Sequence, residues 1–102
     1  MTRPRNSVGG GIKATGPTLG FSGTLNPDAT GSFLGEGIYN GQPYFHNTVK
    51  GFYLWYDTPG MVWVVSILLG TYGAGWWESV NMISAAYTHQ GTATGDGNMY
   101  LP

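Results

Sequence analysis

The sequence has no cysteine, which excludes disulfides and thiolate metal sites and fits a reducing compartment. Charge is scarce as well: 9% of the 102 residues are Asp, Glu, Lys or Arg, against about 25% in ordinary domains. With four basic and five acidic residues and a net charge of −1, no basic patch is large enough to neutralise several phosphates. Nucleic acid is therefore not an expected partner. The longest apolar stretch, Met61–Leu69, is interrupted by Ser66 and falls well short of the ~20 residues of a membrane helix. The first residues lack the apolar centre of a signal peptide. These absences predict a soluble protein, made and used without export and without membrane contact. A sustained helical period is missing too; the one stretch open to a short helix is Trp77–Tyr87.

What the sequence does have is apolar residues at 41%, aromatics at 15% and eighteen glycines. Aromatic residues argue against general disorder, and with many glycines they favour short strands and tight turns. The length suits one domain with one core. Residues 1–24 are read as an extended, glycine-rich arm. Gly9-Gly10-Gly11 is a flexible joint, and Pro4 and Pro17 disfavour helix. Ile12, Leu19, Phe21 and Leu25 are its apolar anchors, and the last three suggest that the second half of the arm docks as one strand. Arg3, Arg5 and Lys13 are three of the four basic residues; a basic arm suits an acidic surface or simple solvation equally well.

Residues 25–102 are read as the β-domain. Strands are expected over Phe33–Tyr39, Pro43–His46, Phe52–Tyr56, Val62–Leu69, Trp76–Val80 and Ala85–His89, with Thr92–Thr94 as a further short one. Asn40-Gly41 is the strongest hairpin signal, because both central positions of a type I′ turn need positive φ. Asp57-Thr58-Pro59-Gly60 places Pro and Gly as β-turns favour. The expected fold is all-β: a small antiparallel sandwich or barrel of five to seven short strands with an extended N-terminal arm.

Several segments in order carry a resemblance: Pro27-Asp28-Ala29-Thr30-Gly31 followed by Phe33, Tyr39-Asn40-Gly41 with Pro43-Tyr44-Phe45, Tyr53-Leu54-Trp55-Tyr56-Asp57, Trp63-Val64-Val65-Ser66, Gly75-Trp76-Trp77 and Gly91-Thr92-Ala93-Thr94-Gly95. Over roughly residues 25–95 the chain resembles a small β-repeat module of phage and bacterial virion or surface proteins. That resemblance implies a β-fold and a non-catalytic structural role. In such proteins the module often occurs in series, whereas here one copy follows an arm, which favours a free-standing subunit. Ala29-Thr30-Gly31 also recurs as Ala93-Thr94-Gly95. The two are read as edge segments of similar shape at opposite ends of one domain, which in a series would lead from one unit into the next and in a lone subunit would pair between copies by strand addition.

Catalytic chemistry finds little support. Among Asp28, Glu36, Asp57, Glu78 and Asp96, two sit in turn sequences and only Glu36 with Glu78 is a conceivable hydrolytic pair. His46 and His89 are far apart in the chain without ligand spacing, so neither metal nor cofactor is expected. The glycine clusters lack the spacing and lysine of a phosphate loop. The aromatics are the stronger signal. In Phe52–Tyr56, alternation puts Tyr53 and Trp55 on the face opposite Phe52 and Leu54, and Trp76-Trp77 point opposite ways. Tyr53, Trp55, Trp76 and Trp77 are therefore the candidate interface, with a two-sided core as the second reading and a sugar platform as the third.

The expected function is a non-catalytic virion structural subunit of a bacteriophage, such as a capsid decoration, head-fibre-base or tail-associated protein, made in the host cytoplasm. Its partners are copies of itself, in a symmetric oligomer, and other virion proteins. The alternative is a carbohydrate-binding module that stacks sugars on Trp and Tyr, with Asn40, Gln42 and Asp57 supplying hydrogen bonds. A small hydrolase dependent on Glu36 or Glu78 ranks third.

Overall fold

Alternating aromatic and small residues over short segments, cut by glycine turns, give strands and no helix. In the computed structural model, which describes residues 18–102, eight strands form a closed antiparallel barrel in chain order. They are β1 (Leu19–Ser22), β2 (Gly31–Tyr39), β3 (Gln42–Asn47), β4 (Phe52–Asp57), β5 (Val62–Ser66), β6 (Gly75–Ser79), β7 (Ala85–Gly91) and β8 (Gly97–Tyr100). Closure comes from β1 pairing with β8, with Gly20 opposite Tyr100 and Ser22 opposite Asn98.

The barrel begins six residues earlier than the expected domain boundary. Leu19 and Phe21, read as arm anchors, are core residues, and Leu25 is buried below them. The expected docking of this stretch as one strand is seen as β1, but its place in the barrel was disguised because β1 is only four residues long and lies among Gly, Pro and Ser. Ile12 lies outside the described residues, as does the rest of the arm before residue 18. The strand not expected from the sequence is β8, whose sequence Gly-Asn-Met-Tyr offers one inward apolar side chain, Met99. β5 ends at Ser66 rather than Leu69, and Thr94 contributes a single bridge to Asn26 rather than a strand.

The interior is packed with side chains. Leu19, Phe33, Phe45, Leu54, Val65, Trp77, Tyr87 and Met99 are fully buried, with Phe21 and Phe52 nearly so. This is how an eight-stranded barrel fills its lumen. Phe21 is the hub, meeting Phe33, Trp77 and Tyr87 edge to face at centroid distances of 6.0, 6.4 and 5.4 Å, the arrangement ring quadrupoles prefer. Buried polar ends find partners. Trp77 Nε1 donates to the Gly95 carbonyl at 2.8 Å and the Tyr87 hydroxyl to the Met82 carbonyl at 2.6 Å.

Turn chemistry sets the ends. Asn40 and Gly41 have φ of 54° and 77°, as a type I′ hairpin requires. At that same end lie the β4–β5 and β6–β7 turns and the residues after β8. The opposite end is closed by Leu25, Ala29 and Ala93, all buried. There Asn26 and Thr94 exchange backbone hydrogen bonds of 3.1 and 2.9 Å. The repeated Ala-Thr-Gly segments therefore close one end of the same barrel. They are not pairing edges between copies, since every strand of the described barrel has two neighbours.

Candidate functional site

With the lumen full, any site on the described residues lies outside the barrel or at its ends. The outward positions of β4, β5 and β6 are Tyr53, Trp55 and Asp57, then Val64 and Ser66, then Trp76 and Glu78. Their register is fixed by Trp55 opposite Val64 and Val64 opposite Glu78. The β5–β6 connection, residues 67–74, folds back against this wall and brings Tyr72 over it. Tyr72 stacks on Trp76 at 4.7 Å and 20°, and on Trp55 at 6.0 Å and 29°. Tyr39 meets Trp55 edge on at 5.9 Å. Trp55 Nε1 donates to Ser66 Oγ at 2.9 Å, and Ser66 Oγ donates to the Leu68 carbonyl at 2.8 Å, anchoring the connection.

Two carboxylates complete this cluster. The Tyr72 hydroxyl donates to Asp57 Oδ2, and Trp76 Nε1 donates to Glu78 Oε1 at 3.0 Å. The hydrogen bond to Asp57, followed by burial and the negative charges of Asp57 and Glu78, pushes the Tyr72 phenol up to about 12. Among the described residues, neither Asp57 nor Glu78 forms an ion pair; the pairs are Glu36–His46, Asp28–Lys50 and Asp96–His89. The cluster is therefore anionic and aromatic at once.

A second group of rings adjoins it on β3 and β4. His46 stacks on Tyr53 at 4.1 Å and 5°, Tyr44 packs beside Tyr53 at 6.4 Å, and His46 Nδ1 meets Glu36 Oε2 at 2.8 Å. A β-bulge between Gly35 and Gly37 accompanies this turn of β2. Exposed Leu34, opposite His46, extends the patch.

Of the four expected interface residues, the structure brings Tyr53 and Trp76 to the outer wall, half-buried. It corrects the other two. Trp77 is fully buried among the inward rings, because the inward positions of β6 face Val65 across the β5 ladder. Trp55 points outward but is 2% exposed, covered by Tyr39 and the returning connection. The predicted turn residues Asn40 and Gly41 form the hairpin, and the Asn40 side-chain amide donates to the Tyr56 carbonyl at 2.9 Å. Tyr72 was hidden from sequence reasoning inside a glycine-rich link, and Tyr39 inside a strand end. Each directly precedes a residue of positive φ, Gly73 and Asn40 respectively.

The conceivable hydrolytic pair does not form. Glu36 on β2 and Glu78 on β6 are four strands apart in an eight-strand barrel, on opposite sides of it. Such a pair needs about 5–10 Å. Among the described residues no three His, Asp or Glu side chains come together in a metal-binding group. Compared with protein-family models, curated proteins and solved structures, the chain matches none.

Proposed function

We propose that this chain is a non-catalytic assembly subunit that binds protein through its outer aromatic wall, and that it serves as a structural component of a virion. One observation carries the assembly reading: half-buried rings of Tyr44, Tyr53, Tyr72 and Trp76 line the outside of a barrel whose inside is already full. Aromatic surface of that kind is the usual material of interface cores. The virion setting rests on the resemblance of residues 25–95. The exposed apolar side chains Leu34, Ile38, Met61, Val80 and Leu101 add contact surface for copies or other structural proteins.

A sugar-binding role is the second reading, favoured by the carboxylates beside Tyr72 and Trp76, which suit hydroxyl donors. It is weaker because the rings already face one another. Tyr72 lies against both Trp55 and Trp76, and Tyr53 gives a face to His46.

The test is the solution mass of the full chain by light scattering, beside Tyr53→Ala and Trp76→Ala. An oligomer weakened by either substitution supports assembly through the wall. Stable monomers that bind a glycan array through Trp76 would transfer the role to sugar binding.

A further inference from the structure

All five acidic residues of the chain lie in the described barrel, which has a single Lys or Arg, Lys50. Lys50 is already paired with Asp28. The remaining basic residues, Arg3, Arg5 and Lys13, fall within residues 1–17, which contain no acid. Asp57 and Glu78, the two carboxylates without an ion pair among the described residues, stand together on the Trp55–Tyr72–Trp76 stack. All of these but Trp55 are half-exposed, so a ligand can reach them.

A carboxylate beside aromatic rings is a setting that holds a guanidinium or ammonium group. Coulomb attraction to the carboxylates acts there, while the aliphatic stem of the Arg or Lys packs along the ring edges that the Tyr72 stack leaves exposed. Beside Glu78 runs a groove of about 280 Å³ whose walls include Val62, Val80, Ala85 and Ala86. Its small apolar walls suit an aliphatic side chain. Residues 1–17 carry such side chains, Val8 and Ile12, between the cations Arg5 and Lys13. Extended chain covers at most about 3.3–3.6 Å per residue, so Arg5–Lys13 suffices to cross three strands spaced about 4.8 Å apart.

We infer that the N-terminal segment of one copy docks on the outer wall of a neighbouring copy, with Arg3, Arg5 and Lys13 meeting Asp57, Glu78 and the Tyr72 and Trp76 rings. The neighbour is favoured over the same copy by topology. The segment enters the barrel at β1, and in the closed strand order β1 lies opposite β5, the middle of the wall that carries the site. A contact within one copy would have to pass around half of the barrel, whereas a neighbouring copy can present its wall directly. Such a contact is head to tail, and it closes into a ring or propagates according to its rotation. This inference rests on the assembly reading and names the contact through which assembly occurs.

The experiment is a mixing test on the full chain, read by light scattering at low salt. One variant reverses the segment (Arg3→Glu, Arg5→Glu and Lys13→Glu); the other reverses the site (Glu78→Lys). Near-UV circular dichroism confirms that each retains the barrel. The wild type is expected to be an oligomer, and each variant alone to dissociate at least tenfold more readily. Mixed, the two should recover oligomers, because the acidic segment of one finds the lysine of the other. An oligomer indifferent to segment reversal would overturn the docking and leave assembly through the wall standing. Variants that dissociate alone and stay apart when mixed would also overturn it, since the segment would then act within its own copy. A monomeric wild type would overturn both readings.

Discussion

The Tyr72 ring lies against Trp76 with centroids 4.7 Å apart and planes 20° from parallel, while its hydroxyl reaches Asp57. One side chain thus pins the β5–β6 connection to two strands. Tyr72→Phe keeps the stack and removes the hydrogen bond, so a loss of about 1 kcal/mol is expected. Tyr72→Ala removes both and should cost more. Urea unfolding of the two variants checks the order; equal costs would show that the stack contributes nothing.

Tyr72 also makes stability fall in alkali. Its phenol is held neutral to about 12 in the folded state, first by the hydrogen bond to Asp57, against about 10 in an unfolded chain. A raised folded value means that the contribution is intact below pH 10 and is lost as pH rises from 10 through 12. Thermal midpoints measured across that window should fall less steeply in Tyr72→Phe than in the wild type. Identical slopes would contradict the assignment.

On the acid side, Asp28 is held well below the ordinary carboxylate range, first by its hydrogen bond from Lys50 and then by Thr30. Asp96 is lowered by His89, through its side chain and then its backbone. Both contributions are present above the unfolded value near 4 and disappear as pH falls through the lowered ones. Carboxyl titration by NMR should show Lys50→Met returning Asp28 toward its usual value without moving Asp96. His89→Gln should move Asp96 upward and leave Asp28 alone.

Adjacent tryptophans should separate cleanly. Trp77→Ala empties the barrel and unpairs the Gly95 carbonyl, at a cost of about 3–5 kcal/mol, enough to unfold a domain with little stability to spare. Trp76→Ala removes a half-buried ring from the outer wall and should leave the fold largely intact while weakening assembly. Comparable destabilisation by both, in the same denaturant titration, would argue against the inward and outward assignments.

Two glycines with similar φ should respond differently to alanine. Gly41 has φ of 77° with open space around its added methyl, whereas at Gly95, φ 80°, the methyl would strike the Thr24 carbonyl oxygen. Gly41→Ala is expected to cost about 1 kcal/mol from backbone conformation. Gly95→Ala adds a collision with fixed backbone where the Asn26–Thr94 bridge closes the barrel, so its denaturation midpoint should fall much further. A small effect at Gly95 would show that this end of the barrel yields readily.

Much of the fold was legible from local chemistry. Asn40-Gly41 marked its hairpin because few residue pairs accept two positive φ values in succession. Phe52–Tyr56 showed which side chains share a face because a strand alternates strictly. The site was less legible. Trp55 and Trp77 looked like surface candidates because alternation says that two neighbours face apart, not which face is covered. Tyr72 carried no pattern, since a loop residue acquires its neighbours only when the loop folds back.

By itself, then, the sequence determined an all-β domain of short strands, its hairpin turns, and the crowding of cations into the first thirteen residues apart from Lys50. Those are properties of backbone conformation, side-chain period and charge order, all of them local. The tertiary structure decided that the sheet closes, that Leu19 and Phe21 belong to the core, and that the two Ala-Thr-Gly segments close one end of a single barrel. It also decided that Asp57 and Glu78 share one aromatic wall. Each of these depends on which distant strands pair, and the β1–β8 pairing joins segments about as far apart as the described chain allows. Only the packing of the whole barrel selects such a pairing, because no local signal records it.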